Sequence, residues 1–417
     1  MSSDSPAPGN ADVRMSGFAQ RTTVEAAIQW VDKSVQQLPA SEVSLADAAG
    51  RVLAESITSP VNVPGFTRSM MDGYAIIASD VAGASMYNPI SLQVAGEVLP
   101  GQAPSTAVTS GKVIRIMTGA AMPDGADAVI PVEQLQASDD GSQVEVHADV
   151  PPGKHVGQVG EDVSAGTTLF SAGRQLRPQD LGLLSSVGIS QLAVVSQPRV
   201  RILVTGNELL PAGTPPAGQQ ITDANSPMLS ALIERDGGIV DFPGILPDQA
   251  ETIEDQLQQP ADIILVAGGS SVGQEDYAPS VVRQLGELAI HGIAMRPSSP
   301  AGMGTIEDRL VFLLPGNPVS CLCAYDFFAG RAIRQLAGLP AEFPYQQCRL
   351  PLARKLVSAV GRVDYARVEI IDGQVEPLAI SGASILSSTT RASGYVIVPQ
   401  DSEGMPAGSE VDVWLYG

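Results

Sequence analysis

The sequence predicts a multidomain chain of the α/β plus β class, and three observations predict it. Between Pro198 and about Gly338 short apolar strands alternate with helical patterns, as in a doubly wound parallel sheet covered by helices on both faces. On either side, from Ile57 to Val150 and from Pro344 to the end, short alternating segments separated by Pro and Gly read as all-β modules. Three glycine-bearing loops follow apolar runs: Val204-Thr205-Gly206-Asn207-Glu208, Val266-Ala267-Gly268-Gly269-Ser270-Ser271-Val272-Gly273, and Leu314-Pro315-Gly316-Asn317-Pro318-Val319-Ser320. In an open parallel sheet such loops gather at the carboxyl ends of the strands, where ligands bind. Glycine lets backbone approach a ligand closely, and free N–H groups at a helix start attract anions.

Residues 1–20 are rich in Ser, Pro, Ala and Gly and read as a mobile tail. A capping box, Thr22-Thr23-Val24-Glu25, starts a helix whose apolar face is Val24, Ala27, Ile28, Val31 and Val35. A second helix is predicted from Ser44 to about Leu53. Within the first β module the strands are Ile90–Val94, Val113–Met117, Ala128–Val132 and Val144–His147. Pro178–Gly188 reads as a helix, with Pro near its start and Gly at its end. Its natural partner is the helical start of the chain. The expected division is a discontinuous linker domain (21–54 and 150–197), an inserted β domain (55–149), an α/β domain (198–340) and a small C-terminal β domain (341–417).

In the α/β part the expected strands are Ile202–Val204, Ile239–Phe242, Ile263–Val266, Ile290–Met295 and Val311–Leu314. One helix has clear punctuation: Ser226 as N-cap, Pro227 at the first helical position, Gly237-Gly238 at its end.

Composition excludes several function classes. The formal net charge is −21, which argues against a nucleic-acid binder and against docking to anionic membranes. No run is long enough to span a bilayer and no secretory leader is evident, so the expected location is cytoplasmic. Cys321 and Cys323 flank one residue at a helix start, a poor spacing for a metal knuckle, and read as small buried apolar residues. Three histidines do not make a zinc site. One stretch breaks the acidic trend. Arg349, Arg354, Lys355, Arg362 and Arg367 stand against Asp364 alone, which fits either a bound anion or a solvated strand face.

Candidate site residues follow from the loops. Glu208 and Asp276 sit at carboxyl ends of predicted strands and can converge. Two carboxylates near a phosphate suit magnesium, which takes oxygen ligands and shares them with substrate phosphates. The glycines Gly268, Gly269 and Gly273 would let backbone line a phosphate, and Ser270, Ser271 and Ser320 offer hydroxyls. Asn317 is restricted by Pro318. Asp223 and Asn225 precede the well-capped helix and read as ligand-edge or capping residues. Asp248 starts a helix, a position that also fits a cap. Asp72, in Met70-Met71-Asp72-Gly73-Tyr74, reads as a cleft acid or a turn aspartate, Thr118 as a ligand hydroxyl or a turn threonine, and Asp162 as an acid of either role.

These residues fall in motifs that identify a family. Ser69-Met70-Met71-Asp72-Gly73-Tyr74-Ala75, Met117-Thr118-Gly119-Ala120, Gly160-Glu161-Asp162, Thr205-Gly206-Asn207-Glu208-Leu209, Gly268 through Tyr277, and Leu314 through Ser320 stand in one order. The chain resembles the molybdopterin molybdenumtransferases, the MoeA and gephyrin E-domain family, over nearly its whole length after residue 20. The resemblance implies an elongated homodimer, an α/β molybdopterin-binding domain and a C-terminal β-barrel. It also implies an active site between the α/β domain of one subunit and the inserted β domain of the other. The implied reaction takes adenylylated molybdopterin and molybdate to molybdenum cofactor and AMP, supported by Mg2+. An enzyme that adenylylates molybdopterin and molybdoenzyme acceptors are the implied partners.

The same resemblance makes Asp72, Asp162, Glu208, Asp248 and Asp276 the acidic set. For molybdate, a tetrahedral dianion that needs cationic and hydroxyl donors, it points to Arg296, Ser320, Arg362 or Arg367, and Ser384 or Ser388. Two departures stand out. Where the family usually has Lys-Pro-Gly-Lys-Pro, this chain has Arg296-Pro297-Ser298-Ser299-Pro300, and where the family commonly has an arginine before Gly160, it has Gly157. The alternative function is therefore a diverged non-catalytic carrier of molybdopterin or its cofactor form. A third, an interaction scaffold, rests on the resemblance alone.

Overall fold

The computed structural model describes residues 21–269, 277–379 and 382–416, and the chain divides into two compact units. The smaller is formed by Glu42–Ala49 and Leu53–Leu192, and the larger by the rest. No described helix is long and apolar enough to cross a membrane.

The first helix, α1 (Val24–Ser34), buries Val24, Ala27 and Val31. Its cap is Thr23 rather than Thr22: Thr23 Oγ1 accepts the Ala26 N–H at 3.2 Å. The helix expected over 44–53 does not form. Only Leu45–Asp47 makes a 3-10 turn. Gly50 at φ 74° turns the chain into the left-handed region, and Leu53 pairs with the backbone of residues 173 and 174 instead.

In the smaller unit, β1 (Gly73–Ile76), β2 (Ile90–Val98), β3 (Lys112–Ile116), β4 (Ala128–Pro131), β5 (Leu135–Ala137) and β6 (Gln143–Val146) form one sheet in the order β4-β1-β3-β2-β6-β5. A Cβ on Gly73 would stand 2.0 Å from the Ile130 carbonyl oxygen, so only glycine permits the β1–β4 pairing directly after Asp72. The unit ends with α2 (Pro178–Ser186), as its punctuation predicts.

The larger unit is built on β7 (Arg199–Thr205), α3 (Asn225–Arg235), β8 (Ile239–Asp241), α4 (Ala250–Leu257), β9 (Ile263–Ala267), α5 (Ala278–Leu285), β10 (Glu287–His291), β11 (Gly302–Ile306) and β12 (Arg309–Leu314). The sheet order is β8-β7-β9-β12-β11-β10. The first four strands are parallel; β11 runs antiparallel to β12, and β10, antiparallel to β11, forms the far edge. The strand read over 290–295 is thus two pieces. β10 stays in this sheet, while Met295–Arg296 pairs with Val363 and Asp364. The β11 strand was not predicted, because Gly302 and Gly304 erase its apolar alternation. A Cβ on Gly304 would stand 2.0 Å from the Glu287 carbonyl oxygen.

Both faces of the parallel part are covered. Val200, Ile202 and Val204 pack with α1, α3 and the following helices, whereas Leu203, Ile264, Val266, Val311 and Leu313 pack with Ile253, Leu257, Val281 and Val282 of α4 and α5. Each such side chain removed from water contributes about 1.5–3 kcal/mol. That near-continuous apolar runs form these strands follows from burial on both sides.

After β12 the chain forms α6 (Pro318–Ala324), a π-helical turn and α7 (Gly330–Leu336). The C-terminal β domain has β13 (Gln346–Pro351), β14 (Val363–Ile371), β15 (Gln374–Ala379), β16 (Gly394–Val398) and β17 (Glu410–Leu415). Its order is β15-β14-β16-β17-β13, and a bridge between Leu352 and Val375 returns β13 to β15, which closes a small barrel.

Candidate functional site

The carboxyl ends of β7, β9 and β12 open into a cavity of about 620 Å³. Its walls carry Glu208, Asp223, Asn225, Asp248, Asn317 and Ser384, and Gly268 and Gly269 form part of its lining. Glycine is required at the last two positions. They adopt φ 105° and 56°, and a Cβ on Gly268 would stand 2.6 Å from the Thr205 carbonyl oxygen. The loop after β9 is therefore pressed against the end of β7.

The acids in this cavity differ in how they are held. Asp248 does not cap α4, which starts at Ala250 with Gln249 at its cap position. It exchanges hydrogen bonds with Asn207 instead. Asp248 Oδ2 accepts the Asn207 N–H at 3.1 Å, and Asn207 Oδ1 accepts the Asp248 N–H at 3.4 Å. This pair clamps the loop bearing Glu208 to the segment before α4. The Glu208 carboxylate is exposed and makes no hydrogen bond or ion pair among the described residues. Asp223, not Ser226, caps α3: it accepts the Asn225 N–H at 2.9 Å, the Ser226 N–H at 3.1 Å and the Ser226 hydroxyl. Asn225 ties α3 to the Pro-Gly-Asn-Pro turn by donating Nδ2–H to the Gly316 carbonyl at 2.8 Å. No lysine, arginine or histidine lines the cavity among the described residues.

A second cavity, of about 480 Å³, is basic. Arg296, Arg354, Lys355 and Arg362 line it with Ser358. Asp364, fully buried, organises it: it accepts from Arg296 Nε at 3.0 Å and from Ser358 Oγ at 2.6 Å, and its carboxylate lies 3.4 Å from Arg362. The five residues from Arg296 to Pro300 contribute to both cavities, Arg296 to the basic one and Pro300 to the acidic one. Ser298, where the family resemblance has glycine, holds φ 85° and donates its hydroxyl to the Ser320 carbonyl at 2.6 Å. Ser299, in place of a lysine, has a buried hydroxyl without a partner among the described residues.

The remaining molybdate candidates lie outside both linings. Arg367 is fully buried against Tyr365, Tyr416 and Cys323, and burial holds its guanidinium below the usual arginine range. Ser320 is buried in α6, and Ser388 is buried with its hydroxyl donated to the Ile385 carbonyl at 2.5 Å. Asp276, Ser270, Ser271 and Gly273 lie outside the described residues. Among those that are described, no group of three His, Cys, Asp or Glu has metal-binding spacing. Cys321 and Cys323 are free thiols buried in α6, and burial pushes both well above the usual thiol range.

In the smaller unit, Asp72 Oδ1 accepts the Thr118 N–H at 2.7 Å and the Thr118 hydroxyl at 2.8 Å, which lowers the Asp72 carboxyl below its ordinary range. Asp162 is exposed, its backbone N–H bonded to the Val63 carbonyl. Beside Gly157 stands a cation the sequence reading missed. Arg68 pairs with Gly157 across two strands and lies 3.3 Å from Glu161. Arg68 directly precedes the Ser69–Ala75 motif, and only the strand pairing reveals its neighbour.

Comparison with known proteins gives one answer along the chain. Residues 22–188 match the MoeA N-terminal region (domain I and II), 201–335 the probable molybdopterin binding domain, and 349–416 the MoeA C-terminal region (domain IV). Molybdopterin molybdenumtransferase 2 of Mycobacterium tuberculosis is 35% identical over 385 residues, 89% of this chain and 94% of its own. The molybdopterin molybdenumtransferase of Haemophilus influenzae is 33% identical, over 91% of this chain and 96% of its own. A crystal structure of the molybdopterin biosynthesis MoeA protein from Pyrococcus horikoshii superposes with a TM-score of 0.77 at 32% identity, covering 95% of this chain and all of that one.

Proposed function

The chain belongs to the MoeA family, and from that premise we propose that it is a molybdopterin molybdenumtransferase of molybdenum cofactor biosynthesis. Its substrates are adenylylated molybdopterin and molybdate; its products are molybdenum cofactor and AMP. The observation that carries this reading is the acidic cavity at the carboxyl ends of β7, β9 and β12, within the segment that matches a molybdopterin binding domain.

The glycine wall of that cavity admits a ligand against backbone, and α3 and the Pro-Gly-Asn-Pro turn are fixed to each other by Asn225. Glu208 and Asp248 supply hard oxygen donors, which fits Mg2+, an ion that keeps a few carboxylates and shares substrate phosphates. With Asp276 they are the residues we assign to hold it; bound there, it would neutralise a phosphoanhydride and polarise it. In a cavity with three carboxylates and no cation among the described residues, an anionic substrate needs such a counter-charge.

Arg296 and Arg362, held rigid by Asp364, are the assigned oxyanion donors, with Ser384 on the acidic side. Arginine gives a fixed fork where lysine gives a point charge, so the replacement retunes the oxyanion site. Asp72 with Thr118, and Asp162, are assigned supporting roles in the smaller unit. The proposal includes a homodimer working in the cytoplasm, fed by an enzyme that adenylylates molybdopterin and serving molybdoenzyme acceptors; sedimentation at micromolar concentration tests the dimer.

The decisive experiment incubates the purified protein with adenylylated molybdopterin, magnesium and molybdate, and follows AMP release and molybdenum incorporation together. Both are expected, and both should be lost in Asp276→Asn. Tight pterin binding without AMP release would overturn the transferase and leave the carrier.

A further inference from the structure

The segment from Arg296 to Pro300 joins the two cavities, and Ser298 stands at its middle with two properties that the proposed function does not use. Its backbone holds φ 85°, a left-handed conformation that glycine adopts freely and serine only at a cost. Its side chain is 2% exposed, and the hydroxyl donates to the Ser320 carbonyl of α6 at 2.6 Å. A carbonyl oxygen has two lone pairs, so Ser320 accepts this bond without giving up its place in the helix. The hydroxyl bond is the local contact that offsets the backbone cost.

That bond completes a circuit between the cavities. Arg296, at one end of the segment, lines the basic cavity and is fixed by Asp364. Pro300, at the other end, lines the acidic cavity together with Asn317 and Pro318, which begin α6. Ser298 ties the segment to the first turn of α6. In the same turn the Val319 N–H donates to the Ala383 carbonyl at 3.0 Å, next in sequence to Ser384 of the acidic cavity. The Ala301 N–H closes a turn on the Ser298 carbonyl at 3.0 Å, so the segment moves with Ser298 as one piece.

Resting on the proposed function, we infer that Ser298 is a positioning residue for the oxyanion. By gripping α6, its hydroxyl fixes Arg296 against the Pro-Gly-Asn-Pro turn. An oxyanion held by Arg296 and Arg362 then meets the ligand of the acidic cavity at one set distance. Ser298 acts through Arg296 and touches neither ligand. Its loss therefore weakens oxyanion capture and spares the pterin contacts.

The test compares wild type, Ser298→Gly and Ser298→Ala. It reads KM for molybdate and for adenylylated molybdopterin, kcat, the thermal midpoint, and equilibrium binding of molybdate by calorimetry without turnover. Ser298→Gly loses the grip but is at ease at this φ, so its midpoint should hold within about 2 °C. Ser298→Ala keeps the backbone cost and should fall further. Both variants should raise molybdate KM and its calorimetric Kd about tenfold, with kcat and the pterin KM within about twofold. A serine that serves stability alone would lower the midpoint of Ser298→Ala and leave molybdate binding unchanged in both variants. That result, or an equal rise in both KM values, would overturn the inference. If the wild type released no AMP, the transferase reading would fail, and the calorimetric comparison would still decide the role of Ser298.

Discussion

Carboxylates are used in opposite ways in two regions of the larger unit. At the carboxyl edge of the sheet, among the described residues, Glu208 is exposed and unpaired and the Asp248 carboxylate accepts from the Asn207 N–H alone. Behind α6, α7 and β14, the acids are buried and clasped by arginines. Asp236 meets Arg235, Arg334 and the Tyr325 hydroxyl; Asp326 meets Arg235 and Tyr345; Asp364 meets Arg296, Arg362 and Ser358. The difference teaches how to tell a site from a scaffold. A carboxylate whose charge is already answered holds the fold, and one left unanswered in a cavity is available to a cation or substrate.

The largest effect that could break this contrast is at Asp364. Asp364→Ala strands two arginines and should destabilise the C-terminal domain by about 3 kcal/mol in denaturant unfolding. A cost below about 0.5 kcal/mol would show that the clasp is not structural. Next comes Glu208→Gln, which should slow AMP release about a hundredfold, near 2.7 kcal/mol of barrier, while leaving stability within about 0.5 kcal/mol. Equal loss of activity and stability would erase the distinction between the regions.

A smaller effect is in pH dependence. Burial pushes the Asp326 carboxyl up to about 6, against the pull of Arg235. A carboxyl raised in the folded state binds a proton more readily there than when unfolded. It therefore costs stability above pH 6, and that cost is relieved as pH falls from 7 toward 4. The expected gain is on the order of 1 kcal/mol between pH 7 and 5, absent in Asp326→Asn. The smallest effect sharpens a third case, the exposed Asp72. Thr118→Val removes one of its two hydrogen bonds, so its carboxyl should titrate closer to the ordinary aspartate range in an NMR titration.

Much of the α/β part was legible because strands buried on both faces must be almost wholly apolar, as Ile263–Ala267 is. β11 was not, since its glycines serve backbone approach rather than packing. Glu208 and the Gly268-Gly269 pair were legible as a loop after an apolar run. Of the two readings of Asp248, a site acid or a helix cap, the cap falls away, and its partner Asn207 was not legible because it lies 41 residues away in sequence.

The sequence by itself determined the family, most strands of the parallel sheet and the acidic loops at the carboxyl ends of those strands, because apolar periodicity, glycine and proline act locally. Only the tertiary structure decided which charges are spent. Arg296 and Arg362 share a buried Asp364, Arg367 is buried among tyrosines, and Asp223 is spent on the start of α3. Pairing and desolvation depend on what lies within a few ångströms in space, and chain separation carries no record of that.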